Sequence, residues 1–260
     1  PAPSPLSGAH ALVTGASGGI GSAIALALAA AGARVSIAGR KAAALASLAD
    51  RLGPSMGAQA SFDVTDEAAV GAAVGAIRAA AGPIDILVNN AGNARSASFE
   101  RTDAELWSEM LAVNLTGSFL VTRAVASEML ARRAGRIVNI ASTAGLSGYP
   151  YVSAYVAAKH GLVGLTRALA LEFARKGVTV NAVCPGYTDT PMLDAAIAGI
   201  AAKTGRGEED ARATLAAANP SGRLVTPGEV ADAVLWLVSP GAAAVTGQAI
   251  VVAGGEVMAG

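Results

Sequence analysis

Seven short apolar runs, HALVT, RVSIAG, AQASFDV, IDILVNN, GRIVNIAS, VTVNAVC and QAIVVAGG, punctuate the chain, and longer alanine-rich segments with helical spacing separate them. Runs that are apolar on both faces suit strands covered from both sides, and strands joined through helices run parallel. The alternation predicts an α/β fold, a doubly wound parallel seven-stranded sheet with helices on each face. Only the region 187–226 breaks the rhythm. It starts at a proline-glycine turn, carries the mixed-charge KTGRGEEDAR, and reads either as a lid or as a surface insertion.

Composition limits what such a sheet serves. With 53% hydrophobic and 15% charged residues in 260, the chain can fill a large core as one domain. Nineteen Lys plus Arg balance nineteen Asp plus Glu, so no basic field gathers nucleic acid or an anionic membrane. Small molecules and further copies of the chain remain as partners. One cysteine, Cys184, and two histidines offer neither an internal disulfide nor a metal cluster, which fits a reducing cytoplasm. No apolar run is expected to span a bilayer, and PAPSPLSG reads as a loose start. The helices after Asp103 and over about 153–176 carry small residues on more than one face, which fits packing between subunits or deep burial within one.

The first run leads into Thr14-Gly15-Ala16-Ser17-Gly18-Gly19-Ile20-Gly21 and then a helix, the context in which a glycine-rich turn binds a dinucleotide. Gly15 permits the tight turn. Bare backbone at Gly19 and Gly21 lets N–H groups and the helix dipole approach a pyrophosphate. The second run should deliver a residue to the adenosine ribose, where an acid selects NAD. Gly39 stands there instead, followed by Arg40 and Lys41, and a guanidinium can grip a 2′-phosphate through paired hydrogen bonds. NADP(H) is the expected cofactor. Gly18, which is not basic, keeps NAD(H) open.

Tyr155 and Lys159 are four residues apart on one helix and so share a face. Lowering a phenol's pKa by ~3 units needs ~4 kcal/mol, which a nearby ammonium could largely supply. Tyr149 and Tyr151 lack a cation one turn ahead. Ser142 ends its strand at the edge where doubly wound sheets bind ligands, as a carbonyl donor or as an ordinary cap. Asn89-Asn90-Ala91-Gly92 follows the fourth strand, and Asn114 lies in the helix beyond.

The glycine spacing, the asparagine turn, Asn114, Ser142 and the tyrosine-lysine pair, in this order from about Ala11 to Gly255, resemble the short-chain dehydrogenase/reductase family, a single-domain Rossmann-type fold. The resemblance implies an enzyme with a tetrad. Tyr155 would exchange the proton, Lys159 would lower its pKa and hold the nicotinamide ribose, Ser142 would orient the carbonyl, and Asn114 would anchor a water relay. It further implies cofactor contacts from Gly15, Ser17, Gly18, Gly19, Ile20, Gly21, Arg40, Asp63 and Val64. Asn90, Ala91, Gly92, Pro185, Gly186, Thr188 and Thr190 complete that set. No metal is implied, and Cys184 reads as a buried packing residue rather than a nucleophile.

Stretches such as RIVNIASTAG, YVAAKHGLVGLTRALALE and VTVNAVCPG look most like β-ketoacyl and polyketide ketoreductases and 3-hydroxyacyl-CoA dehydrogenases. The expected chemistry is reduction of a ketone to a secondary alcohol, or its reverse, by a homotetramer. An NAD(H)-dependent alcohol dehydrogenase and a non-catalytic NADP(H)-binding scaffold are the alternatives. Leu146, Tyr149, Tyr151, Tyr187, Met192 and Leu193 would wall an apolar substrate. Arg133 and Lys176 resemble a docking patch for a carrier-borne substrate, or are plain basic helix ends.

Overall fold

The computed structural model describes residues 4–205 and 207–258. In chain order it contains β1 (His10–Thr14), α1 (Gly19–Ala30), β2 (Arg34–Gly39), α2 (Ala42–Leu52), β3 (Met56–Ser61), α3 (Glu67–Ala81) and β4 (Ile86–Asn89). There follow α4 (Ala104–Leu111), α5 (Gly117–Arg132), β5 (Gly135–Ile140), α6 (Ser153–Phe173), β6 (Val178–Pro185), α7 (Pro191–Thr204), α8 (Glu208–Ala217), α9 (Pro227–Val238) and β7 (Ala249–Val252).

All seven strands pair in parallel in the order β3-β2-β1-β4-β5-β6-β7. The chain builds outward from β1 in one direction and then, from β4, in the other. A crevice opens where the order reverses, at the carboxyl ends of β1 and β4. The period of two in a strand distributes the core: Ala11 and Val13 face a layer with Ile24 and Leu28 of α1, Leu45 of α2 and Val234 of α9. Leu12 between them faces Val74 of α3, Val125 of α5 and Phe173 of α6. Each such fully buried aliphatic side chain contributes roughly 1.5–3 kcal/mol relative to exposure.

Three local expectations need correction. The third strand ends at Ser61, before Phe62-Asp63-Val64, because the Asp63 carboxylate draws the Thr65 N–H (2.9 Å) and hydroxyl (2.8 Å) into a turn. The start of the chain is not loose over residues 4–8, where buried Leu6 donates its N–H to Ala31; residues 1–3 lie outside the described part. The stretch Ala104–Arg132, helical throughout, is long and apolar enough by composition to cross a membrane, contrary to expectation, although half of its most apolar window is buried inside this fold. Asn114 lies within this helical stretch as expected, in a π-helical turn, Ala112–Thr116, between α4 and α5.

The region 187–226 is mostly helical. Leu193 and Ile197 of α7 pack on Ala211 of α8, with Tyr187, Leu215 and Leu224 around them. A short parallel bridge, Thr188 to Val225, closes its base.

Candidate active site

The glycine turn fills the floor of the crevice. Gly15 has φ +61°, and a β-carbon there would stand 2.7 Å from Ala91 Cα; one on Gly21 would stand 2.4 Å from the Gly15 carbonyl oxygen. Only hydrogen fits at either place. Asn90 Nδ2 donates to the carbonyls of Thr14 (3.1 Å) and Gly15 (2.9 Å), while Thr14 Oγ1 accepts from the N–H groups of Asn90 and Ala91. The two turns thereby hold each other. Gly18 caps α1 without any side-chain bond, and no acid stands in the first turn, so the helix presents bare N–H groups to the crevice. Ser17, Gly18 and Gly19 are at least partly exposed there, whereas Ile20 leans on the α1 side of the core.

At the β2 end, Gly39 leaves an opening bordered by Ser17 Oγ. Arg40 and Lys41 are exposed beside it, and Arg40 Nη1 makes only a loose 3.9 Å contact with Asp63. The Thr65 hydrogen bonds, then Arg40, hold the Asp63 carboxyl below its ordinary pKa. Val64 is buried under Gly117, which leaves little of it for a ligand. Across the crevice Pro185 ends β6. Gly186 donates to Val252, the Thr188 hydroxyl donates to Gly186, and Thr190 caps α7 while its methyl group lies over Gly19.

Ser142, Tyr155 and Lys159 meet at the carboxyl end of β5. Ser142 Oγ accepts from Ala144 N–H at 3.1 Å, so it caps a turn and also faces the Tyr155 phenol. Lys159 is 4% exposed; its Nζ donates to the Ile140 carbonyl at 2.9 Å and lies 5.6 Å from the centre of the Tyr155 ring. Burial drives the Lys159 ammonium down to about 8. Burial also pushes Tyr155 above its ordinary value, with the Ser142 hydroxyl pulling weakly the other way. The expected lowering of the phenol by the lysine is thus reversed here, since a dry site favours the neutral form of both groups. Burial likewise raises Cys184 to about 11, so its thiol stays protonated at neutral pH.

Asn114 is fully buried. Its side chain clasps Asn93, donating to the carbonyl (2.8 Å) and accepting the N–H (3.2 Å), and it also donates to Met110. A β-carbon on Gly92 would fall 2.9 Å from Asn114 Oδ1 and 3.6 Å from Lys159 Nζ, which places the asparagine turn against the lysine. Asn89, grouped with this turn in the sequence, belongs to β4. It donates to Thr122 and Asn139, and Asn139 to Thr166, a buried chain joining α5, β4, β5 and α6.

The apolar wall is partly different from the one expected. Leu146 borders the small core under α6, and Tyr149 and Tyr187 meet edge to face at 6.5 Å. Leu193 is instead buried between α7 and α8, while Tyr151 (68%) and Met192 (53%) are largely in solvent. Tyr151 adopts φ +65° and takes the Ala97 N–H on its carbonyl. Arg133 and Lys176 precede β5 and β6, at the amino edge of the sheet, the far end from Ser142. Two residues escaped the sequence reading. Glu256 accepts the Tyr149 hydroxyl at 2.6 Å, and Arg212 of α8 pairs with Asp189 (2.9 Å) and Asp194 (2.5 Å). No metal-binding cluster of His, Cys, Asp and Glu occurs among the described residues.

Known proteins match the chain in family and fold. The family model for short chain dehydrogenases matches residues 9–200. A solved variant of actinorhodin polyketide ketoreductase with NADPH superposes with a TM-score of 0.92 at 44% identity, over 95% of this chain and 97% of that one. Galactitol 2-dehydrogenase (L-tagatose-forming) of Cereibacter sphaeroides is 42% identical, covering 96% of this chain and 95% of its own. The 3-oxoacyl-(acyl-carrier-protein) reductase of Vibrio cholerae is 41% identical over 97% and 99%.

Proposed function

Because the chain belongs to the short-chain dehydrogenase family and is an oxidoreductase, we propose that it reduces a mostly apolar ketone, of the β-ketoacyl or polyketide kind, to a secondary alcohol with NADP(H). The observation that carries this reading is the meeting of Ser142, Tyr155 and Lys159 at the carboxyl end of β5, with Lys159 against the asparagine turn that in turn packs on Gly15. The cofactor fits the residues present. Gly15, Gly19 and Gly21 leave room for a pyrophosphate against the uncapped α1, and Arg40 with Lys41 suits a 2′-phosphate where Gly39 replaces an acid. The solved polyketide ketoreductase that it resembles contains NADPH.

When bound, NADP(H) supplies the hydride. The chain's own residues handle the oxygen and the proton. Ser142 Oγ, still able to donate while it accepts from Ala144, orients the carbonyl oxygen. Tyr155, kept protonated by its burial, gives its proton to the developing alkoxide, which favours reduction at neutral pH. Lys159, charged below about 8, stabilises the phenolate left behind and holds the ribose. Asn114 clasps Asn93, which follows the turn of Asn90, Ala91 and Gly92; its side-chain amide is engaged, so a relay water would meet its main chain.

The α7–α8 pair acts as the lid. Assembly as a homotetramer is supported by exposed Trp107 and Phe119 on α4 and α5 and Leu171 on α6. A cytoplasmic site of action accords with the single buried thiol.

Following NADPH absorbance with 2-tetralone, cyclohexanone and a β-keto thioester tests the proposal. Tyr155→Phe should lower turnover by about 1,000-fold while NADPH affinity stays within about twofold. Unchanged turnover in that variant would remove the proposed chemistry, and faster turnover with NADH would overturn the cofactor assignment. The galactitol dehydrogenase likeness favours one second reading, oxidation of a polyol, which a panel of sugar alcohols with NAD would reveal.

A further inference from the structure

The tail beyond β7 enters the crevice. Gly254, at φ +57°, lies so close to Ser221 that a β-carbon would stand 3.0 Å from Ser221 Cβ, and its carbonyl accepts the Ser221 N–H at 3.0 Å. The tail is therefore pinned to the segment that follows α8. Two residues later Glu256 turns inward. One carboxylate oxygen takes the Tyr149 hydroxyl at 2.6 Å, a short, charge-assisted bond. The other, Oε2, is sealed from solvent with no partner, in the space that Gly186 leaves by having no side chain, since a β-carbon there would stand 2.6 Å away.

Tyr149 in turn meets Tyr187 edge to face, and burial together with Glu256 drives the Tyr149 phenol far above its ordinary pKa, so it stays a donor. The tail thus joins three segments: its Glu256 carboxylate meets the loop before α6 and the turn after β6, and its Gly254 main chain holds the segment that follows α8. A carboxylate with a half-satisfied, buried acceptor set costs stability. A hydrophobic residue would fill the same place more cheaply if packing were its whole purpose.

Resting on the ketone-reduction reading above, we propose that Glu256 is a positioning residue for substrate specificity: through Tyr149 it fixes the Tyr149–Tyr187 wall against which a bulky, ring-sized ketone packs. The wall touches substrate beyond the reacting carbonyl. Losing it should weaken binding of large ketones and leave small ones and the cofactor unaffected.

The experiment compares the parent enzyme with Glu256→Leu, Glu256→Gln, Tyr149→Phe and the Leu/Phe double variant, on 2-tetralone and cyclohexanone with NADPH. Glu256→Leu should raise KM for 2-tetralone about tenfold with kcat within about twofold, and change KM for cyclohexanone and NADPH by less than about twofold. Glu256→Gln keeps an acceptor for Tyr149 and should restore the parent KM. The double variant should be no worse than either single, as expected for two groups acting as one unit. Crystal structures of parent and Glu256→Leu give a reading that needs no turnover: the Tyr149 ring should leave Tyr187 in the leucine variant and keep its place in the glutamine variant. An unmoved ring, equal loss on both ketones, or a glutamine variant as poor as the leucine one would overturn the proposal. A parent enzyme that reduces neither ketone, with the ring displaced as expected, would instead count against the ketone reading alone.

Discussion

Around Thr14 and Asn90 the crevice is closed by short side chains bonded to main-chain groups, largely out of solvent, whereas around Tyr187 it is closed by long side chains reaching across from other segments. On the first side Asn90 holds two carbonyls, Thr14 holds two N–H groups, and Gly21 rests on the Gly15 oxygen. On the second, the α7–α8 pair is tied down by Arg212 to Asp189 and Asp194, all well exposed, while Glu256 from the tail holds Tyr149. Main-chain groups gripped by short, largely buried side chains have few alternative partners. Exposed ion pairs trade readily with water and are worth little individually. A rigid cofactor floor facing a wall that can open suits an enzyme that must bind a dinucleotide in one pose and pass substrate and product in turn.

The sharpest way to break the contrast is at the floor. Gly21→Val would place a branched side chain 2.4 Å from the Gly15 oxygen and 2.9 Å from Ala16 Cα, both backbone atoms that cannot step aside. NADPH affinity, measured by fluorescence titration, should fall by more than about 100-fold, and the overpacking should cost stability by about 1–3 kcal/mol in a thermal melt. A variant that bound NADPH as the parent does would show that the floor is as yielding as the wall.

The same division decides what could be read from the chain. The glycine turn, Asn90, Ser142, Tyr155 and Lys159 are local patterns at the ends of strands or on one helix face, so spacing alone assembles them. Glu256 and Arg212 are single charged residues in unremarkable surroundings, and only the three-dimensional path brings them to Tyr149 and Asp189. The parallel, doubly wound character of the sheet followed from alternation. Burial did not follow from it: Leu193 and Val64 were expected at the ligand and are packed away, while the polar chain from Asn89 to Thr166 was hidden because polar residues in an apolar run look like exceptions. The electrostatic sign at Tyr155 was also missed, since a lysine one turn away suggests attraction but says nothing about how dry the pair is.

That dryness can be measured through Lys159. Its amine binds a proton only below about 8 in the fold, against 10.5 for the ordinary side chain. At about 1.4 kcal/mol per unit this corresponds to about 3 kcal/mol of lost stability at neutral pH. Between these values the unfolded chain holds more protons than the folded one, so Lys159's penalty fades as pH rises from about 8 to 10.5. Lys159→Met should therefore melt higher than the parent at pH 7, by up to about 3 kcal/mol, with the gap closing towards pH 10.5. Ketone reduction by the parent should decline as pH rises through about 8, as the charge is lost, and the variant should be at least about 100-fold slower at pH 7. A melting gap independent of pH would mean that the lysine is solvated and the floor wetter than its burial indicates.

The smallest effect is expected at the wall, and it carries the comparison's other half. Arg212→Ala removes both ion pairs of α8, yet the guanidinium and both carboxylates are well exposed, and Leu193, Ile197 and Ala211 still hold the two helices together. The melting temperature should move by no more than about 2 °C, in keeping with exposed pairs. On the lid reading proposed above, KM for 2-tetralone should rise about threefold as an open arrangement gains population, while kcat and NADPH binding stay put. Adding salt to the parent should reproduce part of that rise and leave the variant indifferent, since screening acts on the charges the variant lacks. A large drop in melting temperature would place Arg212 in the framework rather than in the latch, and the two sides of the crevice would then be equally rigid.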